Sequence, residues 1–311
     1  MTDNVHYPDP AEIRHRIGPN GTFSLNNVSG DISLRGTDSD EVVVIARSDR
    51  GHDDRLPLVV LRAEGSLSIE LEQRGPFPFG LGWRNVPGVE FEIALPLGAR
   101  VDVNSVSSDI EVTRLVGEQT YKSVSGDVKL TGVGGRISLT TVSGDAELRA
   151  EDPLEAEVNS TSGDLEVSGP LLRAARLRTV SGDVELRGAF DPGQMHTIET
   201  VSGDVDIESS SGLTVEVRKG IDLGGGLKQR VVGDGAARLR FRSLSGDLRV
   251  AGIGADRGVK NIPFEMPAPP APPKPPAAPA PDSLEILRAL ERGEIDIEEA
   301  QRRLEGAGSN A

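Results

Sequence analysis

The chain has 311 residues, enough for one large or two ordinary domains, and no cysteine, which excludes disulfides, thiolate catalysis and Cys-ligated zinc. Its formal charge of −15 is the wrong sign for displacing counterions from nucleic acid, so a nucleic-acid partner is not expected. Aromatic residues are only 3%, so the core must be built from Val, Leu, Ile and Ala, which suit a thin, regular interior.

The N-terminus shows no basic segment followed by an apolar run, and no stretch nears the ~18 apolar residues of a membrane-spanning helix. A cytoplasmic protein without a transmembrane segment is expected. Residues 1–20 read as a terminal cap, with a short helix over 9–16 that uses Asp9 as N-cap and Pro10 at the first helical position. Residues 22–48 read as three strands, marked by Phe23 and Leu25, by Ile32 and Leu34, and by the run Val42, Val43, Val44, Ile45. Residues 58–61 and 67–71 continue them around a hairpin-like break at Gly65 and Ser66. Residues 74–88 hold Phe77, Phe79 and Trp83 among four Gly and three Pro. They read as a long loop folding its aromatics over the β-structure, with an exposed recognition loop as the competing reading. From Val89 the alternation resumes as Phe91, Ile93, Leu95, Val101 and Val103.

A single turn then dominates the chain. Ser123-Val124-Ser125-Gly126-Asp127-Val128-Lys129-Leu130 returns as Thr141-Val142-Ser143-Gly144-Asp145-Ala146-Glu147-Leu148 and as Ser160-Thr161-Ser162-Gly163-Asp164-Leu165-Glu166-Val167. Further copies centre on Asp183, Asp204 and Asp247, and earlier ones on Asp31 and, with Ser108 in place of Gly, on Asp109. From Asp109 to Asp204 the steps are 18, 18, 19, 19 and 21 residues; the outer steps of 78 and 43 look like four and two periods. A fixed period near 20 predicts a solenoid in which each coil buries its apolar face against its neighbours. The residue before the turn (Val28, Val106, Val124, Val142, Thr161, Val180, Val201, Leu244) and the first and third residues after Asp are expected to face inward. The residue between those last two (Glu111, Lys129, Glu147, Glu166, Glu185) is expected to face water. Residues 22–252 would make about 12 coils, a rod of roughly 55 Å.

Residues 218–236, with Gly220, Gly224, Gly225 and Gly226, read as one coil with enlarged turns. The solenoid domain is thus bounded at 21–256, followed by a Pro-rich linker, 257–281. Ten of the nineteen residues from 263 to 281 are proline, a polyproline-II spacer. Residues 282–311 read as a helical hairpin: Gly293 closes the first helix, and Asp296 with Glu299 opens the second. So short a hairpin must dock on the rod, on a second copy or on another protein. Leu287, Leu290, Ile297, Ala300 and Leu304 are its candidate partner-binding residues.

The Val-Ser-Gly-Asp-Val-x-Leu repeats, the opening Gly21-Thr22-Phe23-Ser24-Leu25-Asn26-Asn27-Val28-Ser29-Gly30-Asp31 and the Leu95-Pro96 step resemble a bacterial β-strand-repeat family of unknown function, often labelled adhesins. The stretch from Leu287 to Ala300 resembles the short SHOCT-like domain that accompanies this repeat in envelope-stress proteins. The resemblance implies an all-β fold, a right-handed parallel β-helix of about 18–21 residues per coil plus a small C-terminal α-hairpin. It also implies a role in interaction, with no catalytic residues to carry over.

Two corner columns carry chemistry. Stacked aspartates (Asp127, Asp145, Asp164, Asp183, Asp204) would repel one another; a divalent cation could relieve this, but the calcium-binding nonapeptide is absent, and hydrogen bonds from nearby backbone amides are the simpler expectation. The Ser/Thr column is expected to hydrogen-bond along the stack. The histidines (His6, His15, His52, His196) are scattered, and no P-loop, nucleophile elbow or His-Glu-x-x-His occurs. Neither a cofactor nor an enzyme is expected. The functional expectation is a scaffold that binds a protein partner or itself through the hairpin; the alternative is a polysaccharide-binding or polysaccharide-cleaving β-helix using its acidic face.

Overall fold

The computed structural model describes residues 2–4, 7–49, 56–71, 88–219, 228–252 and 259–263. The chain divides into two units, Met1–Phe264 and Glu265–Ala311, and every described residue lies in the first. The aromatic-rich segment 72–87, the Pro-rich segment from 264 onward and the expected helical hairpin lie outside the described residues, as do Leu287, Leu290, Ile297, Ala300 and Leu304.

The described residues form 22 strands and no helix. The first eight are β1 (Thr2–Asn4), β2 (Ala11–Arg16), β3 (Thr22–Asn26), β4 (Ile32–Thr37), β5 (Glu41–Ser48), β6 (Leu58–Ala63), β7 (Ser66–Leu71) and β8 (Val89–Pro96). The regular middle holds β9 (Arg100–Ser107), β10 (Ile110–Thr113), β11 (Gln119–Ser125), β12 (Val128–Ser143), β13 (Ala146–Ser162), β14 (Leu165–Ser181), β15 (Val184–Phe190), β16 (Met195–Ser202) and β17 (Val205–Ser209). The last five are β18 (Leu213–Lys219), β19 (Lys228–Val232), β20 (Ala237–Ser243), β21 (Leu248–Gly252) and β22 (Val259–Pro263).

The strands build two parallel ladders joined at the Ser-Gly-Asp corners. Strands that follow a corner stack in the order β8, β4, β10, β12, β13, β14, β15, β17, β21. Strands that precede a corner stack as β7, β3, β9, β11, β12, β13, β14, β16, β20, β18. Register is kept throughout at the corners: Ile32, Ile110, Val128, Ala146, Leu165, Val184, Val205 and Leu248 form one continuous column, all buried. The column two residues on, Leu34 to Val250, is buried in the same way, and the residues between them are exposed or half-buried, as the period of two requires. On that outer face ion pairs join neighbouring coils, among them Arg149 to Glu166 (3.5 Å) and Arg187 to Glu208 (3.1 Å).

Both ends depart from the sequence reading. Ile32 lies directly against Ile110 and Val205 directly against Leu248, so the gaps of 78 and 43 residues contain no corner-bearing coils. Eight corners stack without interruption, spanning about 34 Å at ~4.8 Å per step. The chain made between them forms the ends. β7 and β8 lie beneath β3 and β4, so the first coil in sequence is second in the stack. At the other end β20 slots between β16 and β18. Segment 218–236 is therefore not a coil: β19 runs antiparallel to β18 and pairs on its far side with β22. Residues 9–16 are likewise not a helix. β2 pairs antiparallel with β5, burying Ala11 and Ile13 while Glu12 and Arg14 face out; the strand partner outweighs the local capping signal. β5 is also antiparallel to β8, which ends the parallel repeat. Arg230 on β19 donates to the Leu248 carbonyl, occupying an acceptor on β21.

The core is mainly aliphatic, with Phe23, Phe91, Phe190 and Phe241 also buried, and it takes in large polar side chains at two places. Tyr121 is fully buried and donates to Gln119 Oε1 (2.9 Å), while Gln119 Nε2 donates to the carbonyls of Leu115 (3.1 Å) and Gly134 (3.2 Å). His196, also fully buried, stands edge-on to Phe190 with ring centroids 5.1 Å apart. Its Nδ1 accepts from the Ala175 amide (3.2 Å), which places the proton on Nε2, 3.0 Å from the Asp191 carbonyl. Burial holds the His196 pKa below the ordinary 6.5. The unfolded chain therefore takes up this proton first as pH falls below about 6.5, and stability drops by up to about 1.4 kcal/mol per pH unit until the folded value is reached. His196→Leu is expected to be less stable at pH 7 and to lose less on acidification. Urea midpoints at pH 7, 6 and 5 measure this, and the gap between the two proteins should narrow toward pH 5.

Candidate interaction surface along the corners

The repeated corner is fixed by two side chains, a hydroxyl and an aspartate, and by one absence. Take Thr141-Val142-Ser143-Gly144-Asp145. Gly144 has φ +116°, and a Cβ there would overlap the carbonyl oxygen of Gly126 in the coil below. The same overlap recurs at every corner glycine from Gly126 to Gly246. Ser108, the exception, stands where Asn27 of the first corner reaches up: its Oγ accepts from Asn27 Nδ2 (3.3 Å) and from Ser105 Oγ (2.6 Å).

The aspartates bond along the stack rather than within their own turns. The amide of Asp127 donates to Asp109 Oδ1 (2.9 Å), Asp145 to Asp127 (2.9 Å), Asp164 to Asp145 (2.8 Å), and so on through Asp183 and Asp204 to Asp247. A hydrogen bond to a charged acceptor contributes about 1.5–3 kcal/mol, against a repulsion of about 0.8 kcal/mol between neighbouring carboxylates in water. The hydrogen bond between successive aspartates therefore outweighs their mutual repulsion. Among the described residues no three acidic or histidine side chains converge as metal ligands would.

Asn27 bonds along the stack as expected, but the hydroxyls that follow it in the column do the reverse. Ser123 donates to the Ser125 carbonyl (3.0 Å), Thr141 to Ser143 (3.3 Å), Ser160 to Ser162 (3.2 Å) and Thr179 to Ser181 (3.2 Å), each across its own turn. Satisfied locally, these hydroxyls take the inward position and are buried. The neighbouring aliphatic residue is turned outward. Val124, Val142, Val180, Val201 and Leu244 are 45–54% exposed, and with Thr161 they make an open column along the corners. The expectation that this column faces the core therefore fails from Val124 onward, while Val28 at the first corner does pack against the core. The signal lay upstream: Ile137 and Leu139 are buried, which makes Thr141 and not Val142 the next inward position.

Toward its C-terminal end the open column borders a shallow groove of about 630 Å³. Val180, Val201 and Leu244 lie on one side of it, and Arg178, Arg242 and Arg218 on the other. Glu199 sits in register between Arg178 and Arg242 and pairs with both (3.1 and 3.4 Å). Arg218 lies beside Arg242 and makes no ion pair among the described residues.

The stacked corners and ladders define a parallel β-repeat protein with an open apolar column. The chain belongs to the Toastrack DUF4097 family, whose profile matches residues 20–250. No curated protein matches it. Among solved structures it is similar to a "putative lipid binding protein" of Parabacteroides distasonis ATCC 8503, at 13% identity, covering 80% of this chain and 98% of that one, with TM-score 0.36. It is also similar to a "putative cell adhesion protein" of Clostridium sporogenes ATCC 15579, at 12% identity, covering 78% and 100%, with TM-score 0.24.

Gly144→Ala is expected to cost about 2–4 kcal/mol in urea denaturation, from backbone strain plus overlap, whereas Ser143→Ala on the same exposed turn should change stability by less than about 0.5 kcal/mol. Asp145→Ala leaves the Asp164 amide without its acceptor and should cost about 1 kcal/mol; Asp145→Asn keeps an oxygen there and should recover at least half of that.

Proposed function

We propose that the protein is a non-enzymatic interaction scaffold, working in a bacterial envelope-stress or surface-associated process. The observation that carries this reading is the open aliphatic column: a row of exposed Val and Leu on a rigid stack is the kind of apolar surface that monomeric proteins avoid unless it is used. In this reading the stack, wound in the right-handed sense, presents the column as a fixed contact line. The Pro-rich segment acts as a tether, and the C-terminal hairpin recruits a protein partner or a second copy through Leu287, Leu290, Ile297, Ala300 and Leu304.

The test compares three proteins by crosslinking and capture from an extract of the parent cell: the full chain, a chain ending at Pro263, and the full chain carrying Val124→Glu and Val142→Glu. The captured partner should fall at least about tenfold with either change, at unchanged melting temperature for the double variant. Equal capture by all three would overturn the scaffold reading.

A further inference from the structure

We infer that the groove at the C-terminal end of the open column is a docking site for an acidic amphipathic α-helix of a partner protein. The inference rests on the scaffold reading above and names the partner's chemistry.

Charge gives the first argument. On a chain of net charge −15, the outward positions of β14, β20 and β18 near the groove carry Arg176, Arg178, Arg238, Arg240, Arg242 and Arg218, against Glu157, Glu199 and Glu216 on β13, β16 and β18. Arg176, Arg218 and Arg238 make no ion pair among the described residues, so the cationic field is left largely uncompensated. Within a Debye length of about 8 Å this local field, not the distant net charge, governs what binds.

Backbone chemistry gives the second. In this part of the ladder every strand is already paired on both sides, β14 with β13 and β16, β16 with β20, and β20 with β18. The surface therefore offers side chains but no free strand edge. An extended peptide would leave its own amides unpaired there, whereas a helix arrives with its backbone already satisfied.

Spacing gives the third. Coils repeat every ~4.8 Å and an α-helix turns every ~5.4 Å, so a helix laid along the stack brings about one turn to each coil. Its apolar residues meet Val180, Val201 and Leu244, and carboxylates on the flanking positions meet Arg178, Arg242 and Arg218. An anionic membrane fits less well, because a flat surface would also meet the exposed Asp164, Asp183, Asp204 and Asp247 along the other side of the column, whereas a helix can carry its carboxylates on the arginine side alone.

The probe is a fluorescein-labelled peptide of about 14 residues with Leu at positions i, i+4, i+7 and i+11, Glu on one flank of that stripe and Gln on the other. Three comparisons accompany it: the same composition scrambled to break the stripe, a version with every Glu replaced by Lys, and vesicles of phosphatidylcholine with phosphatidylglycerol. By anisotropy with the full chain, the acidic helix should bind at micromolar concentration and the scrambled and Lys versions at least about tenfold more weakly. Arg178→Gln with Arg242→Gln, or the milder Val201→Ser, should weaken it to a similar extent without changing the melting temperature. Equal binding of all peptides, binding that is unmoved by these variants, or vesicle binding without peptide binding would overturn the inference. If it fails while capture still depends on Val124 and Val142, the groove's occupant is wrong and the scaffold reading stands.

Discussion

The structure depends on how closely one corner approaches the next. From Gly126 to Gly246 the carbonyl of each corner occupies the space where a side chain on the following glycine would begin, so these coils reach strand-pairing distance because that position carries no Cβ. Once it does, the register of both ladders is fixed at the same point. A slip of one residue would turn every core residue to the solvent, so the aliphatic columns and the corner reinforce one another. This is why a chain with so few aromatic side chains builds a continuous interior: each Val or Leu needs only its counterparts above and below.

The corner also decides what the surface looks like. An aspartate whose carboxylate receives the next aspartate's amide can be repeated at coil spacing without a cation, because the hydrogen bond outweighs the repulsion. A Ser or Thr that bonds its own turn can be buried without a partner in the neighbouring coil. Burying the hydroxyl leaves the aliphatic residue beside it outside. The apolar column is therefore built into the geometry of the turn, and the arginines of β14, β18 and β20 give only one end of it a charge.

The columns after each aspartate could be read from the sequence because alternation along a strand is strictly local; Ile110 and Val112 point inward for the same reason as Val128 and Leu130. The column before the turn could not be read by counting back from the aspartate, because parity is not conserved across a corner. Counting forward from Ile137 and Leu139 gives the right answer for Val142. The ends were misread for a different reason. A gap of 43 residues is close to two periods, and spacing alone does not separate two extra coils from an antiparallel excursion that returns to the place it left. For β2 the helix reading rested on Asp9 and Pro10 alone, and that local capping signal yields to a partner strand further along the chain. The arginine groove was not legible at all, since Arg178, Arg218 and Arg242 come together only through the stacking order of β14, β20 and β18.

That order has a consequence for how the protein is made. The first coil to leave the ribosome, β3 with β4, has neighbours on both sides that are synthesised later: β7 and β8 on one, β9 and β10 on the other. About sixty more residues must be made before the first of these edges is covered, and more than seventy before the second. At the far end β18 emerges before β20, the strand it lies against, so the final docking also closes a long loop. Only in the middle, where β11 to β14 follow one another without a detour, does each new strand meet a neighbour already made; both ends are completed by chain that doubles back.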